Sequence, residues 1–529
     1  MATRPRLRTT ATAVLALACV IWTLGGGQAG AVTRAPLPAS SSSWTAYDDS
    51  DATGSMAAVN TTTPAWTSPA LDGELYGQPL VSSGRVYVAT EDDTVYALSA
   101  ATGAVIWSTR VGTPTPSADL PCGDITPTVG ITGTPVIDQS RGEIFVVADE
   151  LVNGMPAHMF TGLSTGSGKI EVSQDVDPAG ADPAALLQRT GLALDDGRVV
   201  FAMGGNDGDC ASYRGRVIAV PEQGGTPEMF TVDAADDESQ GAIWMGGAAP
   251  VVDSTGDVWV STGNGSVYSY SHAYDDSDSI LELSPSLKLM QFFAPTTWAA
   301  NNSRDLDMSV APALLSDGQV ILTGKSRIVY LLNRADLGGI GGQQAALGSA
   351  CSQDIDGGVA VQGTTVYLPC TSGIVAVRAV KSPAALHLLW SSGTGGGPPI
   401  VAAGLVWTIG QNGMLYGLDP ATGAVRQQAS IGAPANHFPT ASAADGLLLA
   451  PSADRVVAFA ATNAPATGAP ATNAPATNPA LAPKGVAASS VGSPSSVGGV
   501  LPATLIAVGV VGALVAIGAA FWLGRRRRT

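Results

Sequence analysis

Short runs of β-branched and aromatic residues, each broken by a glycine-bearing or acidic turn, recur along most of the chain. The clearest unit, GQPLVSSGRVYVATEDDTVYALSAATGAVIWSTRV, starts at Gly77. Within it PLV, RVYVAT, TVYALS and AVIWSTRV have the length and composition of strands. Gly84, Glu91-Asp92-Asp93 and Thr102-Gly103 separate them as turns. The pattern predicts a four-stranded antiparallel meander. Related phrases start at Gly133, Leu192, Ala249, Ala311, Gly357, Pro398 and Pro439. Starts at roughly 40–60-residue intervals have the period of propeller blades. The last unit ends after its third strand, and Pro64-Ala65-Trp66-Thr67 supplies a fourth from the other end of the chain. Closing the ring with strands from both termini removes an exposed edge. The expected fold is therefore all-β: a propeller over residues 44–461 with eight four-stranded blades, seven being the fallback count.

The two ends carry a different pattern. Arg4, Arg6 and Arg8 precede an apolar run over residues 11–24, and Ala29-Gly30-Ala31 has the small-x-small form of a cleavage site. Residues 1–31 read as a secretory signal peptide. Residues 500–523 are apolar and uncharged, and Arg525, Arg526, Arg527 and Arg528 follow. At about 1.5 Å per residue this stretch spans a bilayer core as one C-terminal transmembrane helix. The arginines place the tail, residues 524–529, in the cytoplasm and everything before the helix outside. Leu501-Pro502-Ala503-Thr504 resembles a sortase sorting signal, but Leu505 stands where that pattern has glycine, which favours a retained helix. Residues 462–499, rich in Ala, Pro and Thr, cannot bury a core and read as a disordered spacer. The expectation is a single-pass protein of the cell membrane with an extracellular head.

Composition narrows the partners. Charged residues are 13% of the 529, with 64 glycines and 35 prolines, as suits short strands joined by turns. A net charge of −17 leaves no cationic excess to displace counterions from phosphates, which excludes a nucleic-acid partner. Beyond the signal peptide lie Cys122, Cys210, Cys351 and Cys370. In an oxidising compartment they suggest two disulfides with three pairings open, of which Cys351 with Cys370 and Cys122 with Cys210 is preferred. His158, His272, His387 and His437 share no metal-ligand spacing. The acidic stretches 48–51 and 275–278 lack a full calcium-loop pattern and read as solvated turns.

ALSAATGAVIW, from Ala97, resembles the tryptophan-docking repeat of the pyrroloquinoline quinone (PQQ) propeller superfamily, in which the Trp of one blade packs on the Thr-Gly turn of a neighbour. GLSTGSGKIEV repeats it more weakly, and GLDPATGAV, from Gly417, repeats it with Gln427 in place of the Trp. PCGDITPTVGITGTPVID, GGNDGDCASYRG, GAIWMGG and STGNG extend the likeness across nearly all the head. The resemblance implies a PQQ-binding-like, quinoprotein dehydrogenase-like propeller. Such enzymes hold a flat quinone and a Ca²⁺ in the central funnel, and three places here are similar to their pattern. Asn264 in STGNG would be a metal ligand, Asp307 the catalytic base (Leu306 replacing the usual preceding Trp), and Lys325 a contact to the cofactor. Trp244 is a further candidate to stack on a quinone. The same residues also suit plainer roles: Trp244 as a brace between blades, Asn264 and Asp307 as turn formers, Lys325 as a solvated surface cation. The chain departs from the enzymes in lacking adjacent cysteines and in reading GNGSVYSY where they have Gly-Asn-Pro-x-Pro-Trp.

The superfamily contains both dehydrogenases and cofactor-free binding propellers. The first expectation is a binding or scaffold module at the bacterial cell surface, engaging a protein, peptide or glycan without a redox cofactor. The alternative is a PQQ- and Ca²⁺-dependent dehydrogenase oxidising an alcohol or sugar.

Overall fold

Four strands, Leu80–Ser82, Arg85–Ala89, Thr94–Ser99 and Val105–Arg110, pair in that order as blade 1. The first hairpin turns on Ser83-Gly84, both with positive φ (53° and 71°). Two left-handed residues in succession make the turn whose twist matches that of paired strands. Asp196-Gly197, Ala403-Gly404 and Asp445-Gly446 repeat the device in other blades. The inner strands of blade 1 are buried, whereas Val105 and Ile106 on its outer strand are 42% and 46% exposed. The cause is geometric, because sheets packed face to face around an axis enclose their inner strands and leave the outer ones on the rim.

The computed structural model describes residues 43–462, except 49–52, 55, 57 and 233–238. Blades 2 to 7 span residues 136–175, 193–231, 251–294, 313–347, 360–391 and 400–430. Blade 8 takes three strands from residues 442–460 and its fourth, Trp66–Thr67, from near the other end of the chain. Trp66 pairs with Ala458 and Thr67 with Val457, antiparallel. The count is eight, and closure occurs where the sequence pattern placed it. One apolar core runs without a break from blade 6 through 7, 8 and 1 to 2, so the junction between the termini is packed like any other. The proposed signal peptide, the linker from residue 463, the spanning helix and the basic tail lie outside the described residues. Among the described residues no helix is long and apolar enough to cross a membrane.

Three tryptophans lock neighbouring blades. Trp66 of blade 8 lies against Gly103 of blade 1 and donates to the Ala100 carbonyl at 2.8 Å. Trp107 of blade 1 packs on Gly168 of blade 2 and donates to the Thr165 carbonyl at 3.1 Å. Trp390 of blade 6 packs on Gly423 of blade 7 and donates to the Pro420 carbonyl at 2.9 Å. A Cβ on any of these glycines would fall within 2.4–2.5 Å of the indole, so the turn residue and the Trp are a matched pair. Gln427 holds the equivalent place in blade 7 and accepts a hydrogen bond from the Thr61 hydroxyl instead.

Both preferred disulfides form. Cys351–Cys370 staples the entry loop of blade 6 to its second strand, and Cys122–Cys210 joins the loop after blade 1 to a loop of blade 3. A further element was not evident from the repeats. The backbone of Trp44 pairs with Val81, and the Thr45 carbonyl accepts from Ile137. Residues 44–48 therefore cross the inner edges of blades 1 and 2. The Tyr47 hydroxyl then reaches Thr440 of the entry to blade 8 at 3.2 Å, so this segment crosses the central channel.

Candidate functional site

Asn264, Asp307, Lys325 and Trp244 meet at one place. The second strand of blade 4, Val258–Ser261, runs into the loop Thr262 to Gly265. There the Asn264 amide donates to Asp307 Oδ1 at 2.7 Å, and Asn264 Nδ2 donates to Asp305 Oδ1 at 2.8 Å. The glycines of this loop leave room for carboxylates. A Cβ on Gly263 would lie 2.5 Å from Asp307 Oδ1, and one on Gly265 would lie 2.3 Å from Asp275 Oδ2. From blade 5, Lys325 binds the same centre twice. Its backbone amide donates to the Asp307 carbonyl at 2.9 Å, and its Nζ lies 2.5 Å from Asp307 Oδ2 and 3.2 Å from Asp305 Oδ1.

Asp307 is 1% exposed. Burial raises its pKa and Lys325 pulls it down, leaving it at about 6, so the group is a carboxylate at neutral pH. Burial works against the Lys325 ammonium, but Asp307 and Asp305 outweigh it and hold the proton more tightly than usual. Lys325 Nζ also sits 5.8 Å from the centre of the Trp244 ring, within cation–π range. Trp244 is half-buried and donates to the Gly205 carbonyl at 3.0 Å. It lines the funnel as well as packing against blade 3. Lys325 is paired and partly enclosed rather than solvated.

A cavity of about 350 Å³ lies beside this centre, lined by Trp244 and Lys325 together with Arg189, Asp207, Asp356 and Phe438, whereas Asn264 and Asp307 stand behind its wall. That volume lies in the range of small-molecule sites. Gly246 and Gly357 approach so closely that a Cβ on Gly246 would stand 2.4 Å from the Gly357 nitrogen, a contact that narrows the channel beside the cavity. Asp124, two residues after Cys122, and Asp207, three before Cys210, also line the cavity, so this disulfide fixes its acidic wall.

The acidic stretch 275–278 is not a solvated turn. Asp275 and Asp278 are 3% and 0% exposed and pack behind the Asn264 loop. The Asp278 amide donates to the Gly263 carbonyl at 3.0 Å, and Thr262 and Ser279 bind the Asp276 carbonyl, which turns the stretch inward. Burial, then Asp307 and Asp275, push the Asp278 carboxyl well above its ordinary range. Asp48 of the other acidic stretch stands partly buried in the channel, its pKa also raised by burial, while residues 49–51 lie outside the described residues. Elsewhere Asp253, Asp257 and Glu282 gather on blade 4, where Arg334 and Trp259 already engage Asp253.

A PQQ- and metal-binding centre requires hard oxygen donors, a cation near the quinone and a flat face. Asn264 Oδ1 is buried without a hydrogen-bond partner among the described residues, and Asp307 and Asp305 lie beside it. Asn264, Asp307 and Asp305 fit a divalent cation, and Lys325 and Trp244 fit a planar anion. Arg189, Asp356 and Phe438 lie in no motif, and Asp207, though within GGNDGDCASYRG, is not singled out by it. They reach the funnel from separate connections, and no local spacing marks them.

These features define a class: an eight-bladed, tryptophan-docked propeller with a polar cavity at its centre. The chain belongs to the family described as outer membrane protein assembly factor BamB, whose model matches residues 21–336, and it carries the PQQ-binding-like repeat of that family. Among solved structures it is similar to the quinohemoprotein alcohol dehydrogenase of Pseudomonas putida HK5, at 14% identity and TM-score 0.61, covering 84% of this chain and 82% of that one. The quinohemoprotein alcohol dehydrogenase of Comamonas testosteroni gives 15% identity and TM-score 0.60, covering 80% and 81%. A europium-containing methanol dehydrogenase gives 13% and 0.58, covering 79% and 98%. At such identities the likeness concerns the fold. No curated protein matches the sequence.

Proposed function

We propose that the chain is a membrane-tethered, extracellular propeller that binds a small ligand in its central funnel and acts as a binding module at the cell surface. One observation carries this reading: Asp307, the residue in the position of a catalytic base, is fully engaged. One of its oxygens accepts from the Asn264 amide and the other meets the Lys325 ammonium, and the residue is 1% exposed. A general base must reach the proton it removes. What faces the cavity is instead the Trp244 ring, a paired lysine and several fixed polar groups, a surface suited to recognition. The signal peptide, spacer and spanning helix expected from the sequence would hold that surface away from the membrane.

The experiment is a titration of the purified protein with PQQ and Ca²⁺, following melting temperature and absorption, with a dye-linked assay of alcohol and sugar oxidation. The binding-module reading requires no turnover. Micromolar PQQ binding together with oxidation would overturn it. Protease treatment of intact cells tests the topology, since the head must be released from outside.

A second reading, a PQQ- and Ca²⁺-dependent dehydrogenase, is favoured by the meeting of Asn264, Asp307, Lys325 and Trp244 and by the unpartnered Asn264 Oδ1. When bound, the quinone would supply the electron sink and the cation its polarisation. In that case Asn264 and Asp305 would hold the cation, and Lys325 and Trp244 would orient the quinone. Asp307 would then take up the substrate proton, which requires Lys325 to turn away from it.

A further inference from the structure

We infer that Arg189 anchors a single carboxylate on the ligand of the funnel, an inference that rests on the funnel being the ligand site. Arg189 lines the cavity, and its side chain has no hydrogen bond or ion pair with any described residue. Its contacts are two aromatic faces: the guanidinium carbon lies 5.6 Å from the centre of the Tyr76 ring and 5.1 Å from that of Phe438.

The clamp is built rather than incidental. Asn436, 7% exposed, donates from Nδ2 to the Tyr76 carbonyl at 3.0 Å and accepts from the Phe438 amide through Oδ1 at 2.7 Å. One buried side chain thus positions both rings. The backbone at Arg189 is held as well, because Gln188 and Thr190 on either side are buried at 4% and 0%. Gln188 Nε2 donates to the Thr190 carbonyl at 2.6 Å, and the Thr190 hydroxyl donates to the Ala202 carbonyl at 3.1 Å. A guanidinium held between aromatic rings keeps its N–H edge free and pre-ordered, which suits a carboxylate bound in two places.

Lys325, the other cation of the cavity wall, is already neutralised by Asp307 and Asp305. Asp207 and Asp356 stand on the same wall and repel further negative charge. Among the described residues Arg189 is the cation of this wall without an ion pair, and beside the wall carboxylates it selects a ligand with one carboxylate. An acidic monosaccharide and an aromatic acid share that chemistry and are separated by the probes below.

The full-length protein in detergent is titrated with D-glucuronate against D-glucose and with benzoate against benzamide, by calorimetry. Wild type is expected to bind at least one of the acids at millimolar concentration and its neutral counterpart at least about tenfold more weakly. Arg189→Gln weakens acid binding by about 10- to 100-fold and leaves neutral probes unchanged, and Arg189→Lys falls between. An unshifted melting temperature of Arg189→Gln without probe checks that the variant is folded. The anchor is overturned if acid and neutral probes bind alike, if neither acid binds, or if Arg189→Gln binds the acids as wild type does. Trp244→Ala separates the two failures. Loss of binding in that variant alone leaves the funnel as the site and removes the anchor, whereas unchanged binding in both variants removes both.

Discussion

Asp93→Asn changes a single atom type in a pocket between blades 1 and 2 and should stabilise the protein in a pH-dependent way. Asp93 is 0% exposed, and neither carboxylate oxygen has a hydrogen-bond partner among the described residues. Burial, then the neighbouring Glu150, Glu91 and Asp149 carboxyls, raise its pKa to about 9. In the unfolded chain the value is about 3.9. The folded protein therefore keeps this proton where the unfolded chain has released it. Stability is full below pH about 4 and is lost as pH rises towards 9, by up to about 1.4 kcal/mol per pH unit. At pH 7 the accumulated cost has a ceiling of about 4 kcal/mol (some three pH units). Asparagine is neutral in both states and escapes it. For a domain of this size 1 kcal/mol corresponds to about 1 °C in melting temperature, so a shift of a few degrees is expected. Scanning calorimetry across this range should find the two proteins alike in acid and the variant ahead in alkali. Glu91 and Glu150, each raised to about 7 chiefly by burial, leave a residual slope in the variant up to neutrality. A wild type that gains stability as pH rises, or a variant less stable at pH 8, would refute the reasoning, because it would mean that these carboxylates are ionised and held by a cation.

Lys325→Met should cost about 3–5 kcal/mol by stranding the buried Asp307 carboxylate, and adding Asp307→Asn should restore most of it in a double-mutant cycle by urea unfolding. Two costs that simply add would exclude the pair as a coupled unit. Trp66, 8% exposed, closes the ring, and Trp66→Ala should cost about 3 kcal/mol, with hydrogen exchange rising first in the strands of residues 442–460. A uniform rise around all blades would argue against a local closure. Replacing both Cys122 and Cys210 with serine removes a cross-link over 88 residues and should cost about 4.6 kcal/mol by chain entropy, while freeing the loops that carry Asp124 and Asp207. Unchanged melting with and without reductant would refute that.

The blades themselves were legible in the sequence because their signals are local. Alternating apolar runs, turns such as Ser83-Gly84 and the pairing of Trp107 with a glycine turn all lie within one or two repeats, and a strand buried on both faces announces itself by composition. Closure through Trp66 and the count of eight followed from an incomplete last repeat. Asn264, Asp307 and Lys325 were legible only through the family resemblance, and Trp244 with them. The ring decided what connections do once it has closed. Residues 275–278 and 91–93 look like solvent-facing acidic turns, yet both Asp278 and Asp93 are wholly buried, Asp278 behind the loop of residues 262–265 and Asp93 against Gly130 of the connection to blade 2. Arg189, Tyr76 and the pair Asn436 and Phe438 lie on the connections that precede blades 3, 1 and 8, remote in sequence, and meet only because those connections converge on the axis. Their meeting depends on the angle between packed sheets, a quantity that no periodicity along the chain encodes.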